Sequence, residues 1–477
     1  MPGPLDGLTI IDLTEYVCGP YATKLLADFG ADVIKVERPG GDPGRSLGPF
    51  PGDMPHREKS GTFFYYNTNK RSIELDLSSE EGVIAFLALV DHADAVVESF
   101  RPGVLDKLGI GWNLLHMRRP DLPLISITNY GQESPYRDYK GSELTLFAHA
   151  GEMYTMGIAE REPVTMYGTA SLIESGAAAA TMAFAAIIAS REQGIGQHVD
   201  FSIADSHFCG ADRRHVSTIA YEFSGRKTVR ASRENRPALS GVYPCADGYV
   251  EFTAASQRID RFATMLGNPE WMTDPKWYVR GALMDPENVA EIEGHFYAWL
   301  GEHTKREIWA EARRAKVLCG PLFDMEELKT DSHFRDRGFW TTAKHAVLGD
   351  VEIPGRPLTM PKTPWALRRP APSVRRFVFG IPGQTEQEMV GYPVTADSLI
   401  LGISRLPPWA RIVLIVRDND ILSPAEAGPV QAPVGGKSDR PTVSLLGEMF
   451  PADPMMIGAM LAPMGLAAGP VVPTREW

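Results

Sequence analysis

One acidic side chain interrupts an otherwise small and aliphatic segment, so it is the first residue to consider for chemistry. The segment is YGTASLIESGAAAATMAFAAI, residues 167–187, and the acid is Glu174. A carboxylate in such a place can act as a nucleophile or as a general base. It can equally be a glutamate in the first turn of a helix, where the helix dipole favours negative charge. From the segment alone, both roles stay open.

A second segment, residues 14–45, has the features of an anion site. It reads TEYVCGPYATKLLADFGADVIKVERPGGDPGR, with a turn at Gly19 and Pro20 after an apolar strand and before a helix. The free N–H groups at such a helix start can bind phosphate. Arg38 follows the second strand and can make a bidentate phosphate contact. A tight strand–helix turn beside a surface arginine is an equally weighted interpretation.

The elements that would position these residues alternate between strands and helices. Helices are predicted between the first two strands and, after a Ser/Glu cap, between the middle two. This alternation predicts an α/β fold with a parallel sheet covered by helices and with ligands at the carboxyl ends of its strands. Neither GxGxxG nor GxxxxGK occurs, so neither a dinucleotide fingerprint nor a P-loop is predicted. The apolar strands are predicted at 8–14, 31–37, 93–100 and 122–128.

The remaining segments of the chain differ in residue pattern and composition. A helix is predicted at about 172–191, followed by a strand whose Val199, Phe201 and Ile203 alternate. The polar stretches 67–77 and 98–112 are interpreted as solvated loops. A prediction of domains follows: a large-domain part at 1–224, a small domain at 225–325, a return segment at 326–385, and an atypical proline-rich tail at 386–477, either poorly ordered or a fusion fragment.

Composition excludes several classes of protein. The net charge of −12 is spread over 477 residues, which gives no nucleic-acid footprint. No apolar run reaches the roughly 18 residues that span a bilayer, and no basic region followed by an apolar stretch marks the N-terminus for export. The four cysteines form no CxxC pair, so neither a zinc ribbon nor a disulfide framework is predicted. A cytoplasmic protein is expected.

Several motifs, in order, resemble the class III CoA-transferase family, the group of formyl-CoA transferase and carnitine CoA-transferase. The resemblance covers about residues 4–370. It rests on PLDGLTIIDLTEYVCGPYATKLLADFGADVIKVERPGGDPGR, NKRSIELDL, VVESFRPGVLDKLGIGW, GQESPYRD, REQGIGQHVDFSIAD, YPCADGYVEF, LKTDSHFRDRGFW and IPGRPL.

The resemblance implies a fold and a ligand. The fold would be a Rossmann-like large domain built from both ends of this region, with a smaller middle domain. Two chains would thread through one another as interlocked rings in a homodimer. The substrates would be an acyl-CoA and a carboxylic acid, with no metal and no permanently bound cofactor. Carried over by position, the CoA contacts would be Tyr16, Val17, Cys18, Arg38, Leu75, Ser99, Phe100 and Lys107, with Ser99 replacing an asparagine and Lys107 an arginine.

The same resemblance raises a difficulty about the catalytic carboxylate. Family members use an aspartate nucleophile four residues before a glycine, and that glycine is Gly176 here. The matching position is Leu172. Glu174 could substitute, as could Glu143, which lies where relatives place a residue close to the thioester. Alternatively, the chain binds acyl-CoA without transferring CoA, or forms one half of a larger two-module protein.

Two further resemblances complete the sequence-based predictions. The related α-methylacyl-CoA racemases use a histidine and an aspartate, and these correspond to Ser142 and Leu172, so racemisation is disfavoured. His149 lies nearby and is interpreted as a core residue. Residues 440–477 resemble a fragment of the chlorophyllide reductase Y subunit, without cysteines that could hold a cluster. No reductase activity is predicted from this fragment.

Overall fold

The computed structural model describes residues 2–209, 214–232, 237–253 and 258–373, together with five short strands beyond residue 376. The chain divides into two compact units. The first comprises Met1–Ala150, Met166–Asp212 and Phe339–Trp477, and the second comprises Gly151–Thr165 and Arg213–Gly338. The boundaries of these units lie at other residues than the boundaries of the predicted domains. The predicted domain boundaries stay a prediction.

A six-stranded parallel sheet forms the centre of the first unit. Its strand order is β3-β2-β1-β4-β5-β6, so the direction of strand progression reverses between β1 and β4. Ligands of open α/β sheets bind in the crevice at such a reversal, outside the carboxyl ends of the strands. The strands are β1 (Thr9–Leu13), β2 (Asp32–Glu37), β3 (Arg71–Glu74), β4 (Ala95–Glu98), β5 (Leu124–Thr128) and β6 (His198–Ser202).

Helices bury both faces of this sheet, which is why its strands are nearly continuous apolar runs. One face packs in a core with α1 and α8, and the other packs in a core with α3, α4 and α5. The helices of the first unit are α1 (Cys18–Asp28), α2 (Gly61–Tyr66), α3 (Glu80–Val90), α4 (Val104–Lys107), α5 (Trp112–Arg118), α6 (Glu143–His149), α8 (Ala170–Gln193) and α9 (Ile203–Cys209).

The alanine-rich helix α8 approaches α1 closely at Gly176. A Cβ atom at Gly176 would lie 2.6 Å from the Cys18 carbonyl oxygen, so only glycine fits there. The helix ends at Gly194, whose φ of 70° is the left-handed conformation typical of a helix C-terminus. By length and composition alone, α8 is apolar enough to cross a membrane, as core helices of water-soluble proteins also are.

The second unit has its own core of aromatic and aliphatic side chains around Tyr243, Phe252 and Phe296. Its three-stranded antiparallel sheet has the order β7-β8-β9. The strands are β7 (Gly241–Cys245), β8 (Gly248–Phe252) and β9 (Cys319–Pro321). The helices are α7 (Glu152–Thr155), α10 (Arg214–Ser224), α11 (Ile259–Met265), α12 (Pro286–Gly301), α13 (Lys305–Ala315), α14 (Met325–Thr330) and α15 (Ser332–Asp336).

The return to the first unit is a hairpin of β10 (Trp340–His345) and β11 (Gly349–Pro354). Beyond it the structure describes β12 (Phe377–Phe379), β13 (Val390–Tyr392), β14 (Arg411–Ile415), β15 (Thr442–Leu446) and β16 (Ala467–Ala468). The rest of the predicted tail at 386–477, with most of the reductase-like fragment, lies outside the described residues.

The predicted α/β class with a parallel sheet is confirmed. All four predicted strands of the first 130 residues are present, and the predicted helix at 172–191 is the middle of α8. Neither polar stretch is a solvated loop, so both of these predictions are wrong. The stretch 98–112 contains α4 and the buried residues Glu98, Leu105 and Ile110. The stretch 67–77 is also ordered. It contains β3, and Asn67, Thr68, Asn69 and Lys70 are buried.

Candidate functional site

The turn between β1 and α1 is fixed by buried charges. Tyr16 has a φ of 76°, in the left-handed region that favours glycine, and its side chain is exposed. Its N–H donates to Asp42 Oδ1 at 3.3 Å. The buried ammonium group of Lys35 donates to the Thr14 carbonyl oxygen at 2.6 Å and pairs with Asp42 at 2.7 Å. The conformation of this turn is therefore built into the protein.

A second buried ion pair lies beneath the same turn. Lys70 Nζ lies 2.9 Å from Asp12 Oδ2 and donates to the Pro20 carbonyl oxygen at 2.8 Å. Burial raises the pKa of Asp12, but the positive charges of Lys70 and Lys35 outweigh it and hold that pKa at about 2. Burial lowers the pKa of Lys70 to about 8, even beside Asp12. The ion pair therefore joins the end of β1 to the segment before β3.

A third pair fixes the loop that follows β2. Arg45 donates to both oxygens of Glu37 at 2.7 and 2.8 Å and to the Pro372 carbonyl oxygen at 2.9 Å. Burial raises the pKa of Glu37, but Arg45 outweighs it and lowers that pKa to about 2. Because Arg38 directly follows Glu37, these contacts also fix the backbone position of Arg38. They also join the return segment to the first part of the chain.

The predicted CoA contacts are placed after neighbouring strands, at the carboxyl edge of the sheet. Arg38 is exposed, with its Nε 3.4 Å from Glu15 Oε1. Cys18 is buried, and burial raises the pKa of its thiol to about 12, so it stays neutral. Their roles as CoA contacts stay predictions. By strand, Tyr16, Val17 and Cys18 follow β1, Arg38 follows β2, Leu75 follows β3, and Ser99, Phe100 and Lys107 follow β4. Three of these residues are buried: Val17, Cys18 and Leu75. Three others are exposed: Tyr16, Arg38 and Lys107.

The turn after β4 is tied to the turn after β1. Ser99 Oγ accepts the Glu15 N–H at 2.8 Å, across the reversal point of the sheet. Phe100 N–H donates to Glu98 Oε2 at 2.6 Å. The Ser99 hydroxyl therefore positions the first turn, which is a role that sequence reasoning did not assign to it.

The start of α1 has the features of an anion site. Its N-cap, Val17, provides no side-chain hydrogen bond, and no acidic residue lies in the first turn. Because Pro20 has no N–H, this helix start offers a ligand the backbone N–H groups of Cys18 and Gly19 together with the positive end of the helix dipole. This arrangement suits a phosphate group.

The carboxylates near the start of α8 differ in their surroundings. Leu172, at the position expected for a nucleophile, is buried in the apolar core. Glu174 is exposed. Glu143 Oε1 accepts hydrogen bonds from Ser171 Oγ at 2.9 Å and from Ser171 N at 3.2 Å. Burial raises the pKa of Glu143 against the effect of these bonds. Glu143 therefore lies beside the residue preceding Leu172.

Two nearby residues have structural surroundings. Ser142 begins α6 with a capping box, in which its hydroxyl accepts the Thr145 N–H and Thr145 Oγ1 accepts the Ser142 N–H. His149 is exposed, not a core residue as predicted. Its ring lies edge-on to Tyr130 and Tyr136, at 5.4 Å from each ring centre.

Sequence reasoning missed the buried polar residues beneath the site. Asp12 occurs within the apolar strand IIDL, and an acid in such a strand indicates a paired charge. Lys70 was assigned to a loop because its neighbours are polar. Glu98 at the carboxyl end of β4 and Ser126 in the middle of β5 are likewise buried. The available signal was an ionisable residue within or directly after an apolar strand.

Comparison with known proteins gives consistent results. The model of CoA-transferase family III matches residues 5–375. Succinyl-CoA:(R)-benzylsuccinate CoA-transferase subunit BbsE of Thauera aromatica is 31% identical over 76% of this chain and 90% of its own. Succinyl-CoA–D-citramalate CoA-transferase of Chloroflexus aurantiacus is 32% identical over 81% of this chain and 96% of its own.

A more distant transferase and a solved structure agree with these matches. Formyl-CoA:oxalate CoA-transferase of Afipia carboxidovorans is 30% identical over 77% of this chain and 91% of its own. A CAIB/BAIF family protein from Brucella suis has a similar fold, with a TM-score of 0.69 and 27% identity, over 78% of this chain and 97% of its own. The resemblance found in the motifs is confirmed, and the chain belongs to CoA-transferase family III.

Proposed function

We propose that this protein takes part in CoA transfer from an acyl-CoA thioester to a carboxylic acid. The observation that carries the proposal is the fixed turn between β1 and α1, beside exposed cations, in a chain of this family. Curated relatives are named for succinyl-CoA and formyl-CoA transfer. A carboxylate acceptor is therefore the expected second substrate. All four cysteines are free thiols, which fits a cytoplasmic location.

CoA would lie along the carboxyl edge of the sheet. Its diphosphate would face the uncapped start of α1, with the exposed side chains of Arg38 and Lys107 as counter-charges. The exposed ring of Tyr16 would border the same ligand. Since Val17, Cys18 and Leu75 are buried, they would shape the surface or offer backbone groups.

Glu143 is the carboxylate that we assign to the acyl transfer step. Its hydrogen bonds to Ser171 orient it at the start of α8, whereas Glu174 is exposed and lacks such a contact among the described residues. Because its pKa is raised, the Glu143 carboxylate is more basic than an ordinary carboxylate, and in its ionised form it is the stronger nucleophile.

The reaction balances without a metal or redox cofactor. A Glu143 oxygen attacks the thioester carbonyl and expels CoA thiolate, which forms a mixed anhydride. The thiolate then attacks the glutamyl carbonyl, releases the first carboxylate and leaves a glutamyl-CoA thioester. The acceptor carboxylate attacks this thioester and expels CoA thiolate. The thiolate finally attacks the acceptor's acyl carbon, which yields the new acyl-CoA and free Glu143.

A second candidate function follows from Leu172. Because an apolar side chain occupies the expected nucleophile position, the chain could bind acyl-CoA while a different subunit provides the carboxylate. Some relatives are named as subunits, including BbsE and the alpha and beta subunits of succinyl-CoA–L-malate CoA-transferase. An interlocked homodimer remains our first assignment for the assembly. The racemase alternative has no support over CoA transfer, because Ser142 provides no imidazole.

Adduct mapping tests these assignments. The purified chain is incubated with succinyl-CoA, trapped with hydroxylamine or borohydride, and analysed by peptide mass spectrometry. A modification at Glu143 that is lost in Glu143→Gln supports the first function. A modification at Glu174 instead would move the nucleophile to that residue. CoA binding without any adduct would contradict transfer by this chain alone and favour the two-subunit alternative.

A further inference from the structure

Glu98 is a buried carboxylate at the point where β4 ends. Its side chain accepts the Phe100 N–H at 2.6 Å, and Ser126 is its direct neighbour on β5. Residue pairs Leu13–Glu98 and Glu98–Ser126 are direct neighbours across β1, β4 and β5. Glu98 therefore connects the turn that carries Ser99 to the centre of the sheet.

The neighbour of Glu98 on β5, Ser126, contacts an exposed residue. Ser126 Oγ lies 2.8 Å from Nε2 of His198, the first residue of β6. The Trp112 ring stacks on the His198 ring with 5.8 Å between ring centres and an angle of 22°. The imidazole is thus held at the outer end of a short path to Glu98.

The charged side chains that act most strongly on Glu98 are acidic. The ionisable groups that act on it are Asp106 on α4 and Asp200 on β6, with His198 reached through Ser126. The neighbour on β1, Leu13, is apolar. Burial raises the pKa of Glu98 to about 7, against the effect of the Ser126 side chain and the Phe100 N–H. Its protonation state can therefore change near neutral pH.

We propose that Glu98 is a positioning residue for CoA: when ionised, it holds the Ser99–Phe100 turn against the first turn and so tightens CoA binding. This inference rests on the CoA site proposed above. The Phe100 N–H fixes the backbone that places Ser99, and Ser99 in turn accepts the Glu15 N–H. A charged acceptor forms a stronger hydrogen bond than a neutral one. Protonation of Glu98 therefore loosens both turns.

The size of the effect follows from these hydrogen bonds. A hydrogen bond to a charged acceptor is stronger than one to a neutral acceptor, and this difference in strength corresponds to a change of about fivefold in CoA affinity. Repulsion between ionised Glu98 and the phosphates of CoA would act in the opposite direction. The sign of the pH dependence therefore distinguishes positioning from repulsion.

Calorimetric titration with CoA, from pH 5.5 to 8.5, tests the proposal on the full chain. The phosphate monoester of CoA itself titrates near pH 6. To remove this contribution, the Kd of each protein at each pH is compared with the Kd of Glu98→Gln at the same pH. The Kd ratio of this variant to the wild type should rise about fivefold from low to high pH, with a midpoint near 7. Glu311→Gln, an exposed glutamate paired with Arg314, is the control and should reproduce the wild-type profile.

Ser126→Ala provides a second variant that keeps Glu98. Because the Ser126 hydroxyl favours the ionised carboxylate, its removal should move the midpoint above that of the wild type. The positioning role alone would be overturned if Glu98→Gln kept the wild-type dependence of Kd on pH. It would also be overturned if CoA binding tightened on acidification. Absence of CoA binding by the wild type at every pH would overturn the proposed CoA site as well.

Discussion

Replacing Gly176 with alanine tests the close packing of α8 on α1. The new Cβ would lie 2.6 Å from the Cys18 carbonyl oxygen and 3.1 Å from a ring carbon of Tyr21, so α8 has to move. Overpacking costs about 1–3 kcal/mol. Gly-to-Ala replacement in a helix interior gains roughly 0.5–1 kcal/mol in return. The net loss of unfolding free energy should therefore be about 0–2.5 kcal/mol, by the difference of these two ranges.

Gly294→Ala in α12 is the matched control. No atom outside its own helix turn lies within 4 Å of the Cβ position at Gly294, so only the propensity gain applies. Gly294→Ala should be stabilised by roughly 0.5–1 kcal/mol. Urea unfolding followed by circular dichroism gives both values, and their difference isolates the packing term of about 1–3 kcal/mol.

The same variant should also affect the ligand site. Because Cys18 begins α1, displacement of α8 at Gly176 should disturb the first turn and weaken CoA binding in calorimetry. Gly294→Ala should leave CoA affinity unchanged. Equal stabilisation of both variants, or unaltered CoA affinity in Gly176→Ala, would refute the account of this helix pair.

Three other predictions concern the buried groups. Lys70→Met should lower the unfolding free energy by about 3–5 kcal/mol in urea unfolding, because Asp12 keeps a buried charge; a loss below 1 kcal/mol would contradict this. Asp12 and Glu37 have lowered pKa values, so their stabilisation is present above about pH 4.5 and is lost as the pH falls toward 2; unfolding midpoints that rise on acidification below pH 4.5 would disagree. Iodoacetamide at pH 8 should alkylate exposed Cys209 and spare Cys18, as read by mass spectrometry; rapid alkylation of Cys18 would mean that its burial is wrong.

The sheet was predictable from the sequence because its strands are nearly continuous apolar runs. Strand β3 was missed because RSIE alternates polar and apolar residues and follows a polar stretch. Its pairing with β2 supplies the order that local propensity lacks. The reversal point between β1 and β4 depends on which strands pair, and no local pattern specifies that.

The site was predictable only as an edge of the sheet and a set of positions. The segment after β1 and Arg38 could be placed there by their distance from apolar strands. The ion-pair partners of Glu37 and Lys70 could not be predicted, because ion pairs between residues far apart in sequence depend on how the chain folds. The surroundings of the two candidate acids, Glu143 and Glu174, likewise come from helix packing. Packing thus separated two carboxylates that the sequence left as alternatives.

Isotope exchange tests the central claim most directly. The purified chain is incubated with succinyl-CoA and ¹³C-labelled succinate, and the thioester is analysed by mass spectrometry. The account predicts that label enters succinyl-CoA, that Glu143→Gln abolishes this exchange, and that the exposed-residue variant Glu311→Gln retains it. Exchange that persists undiminished in Glu143→Gln, or no exchange by the wild-type chain, would contradict transfer through Glu143.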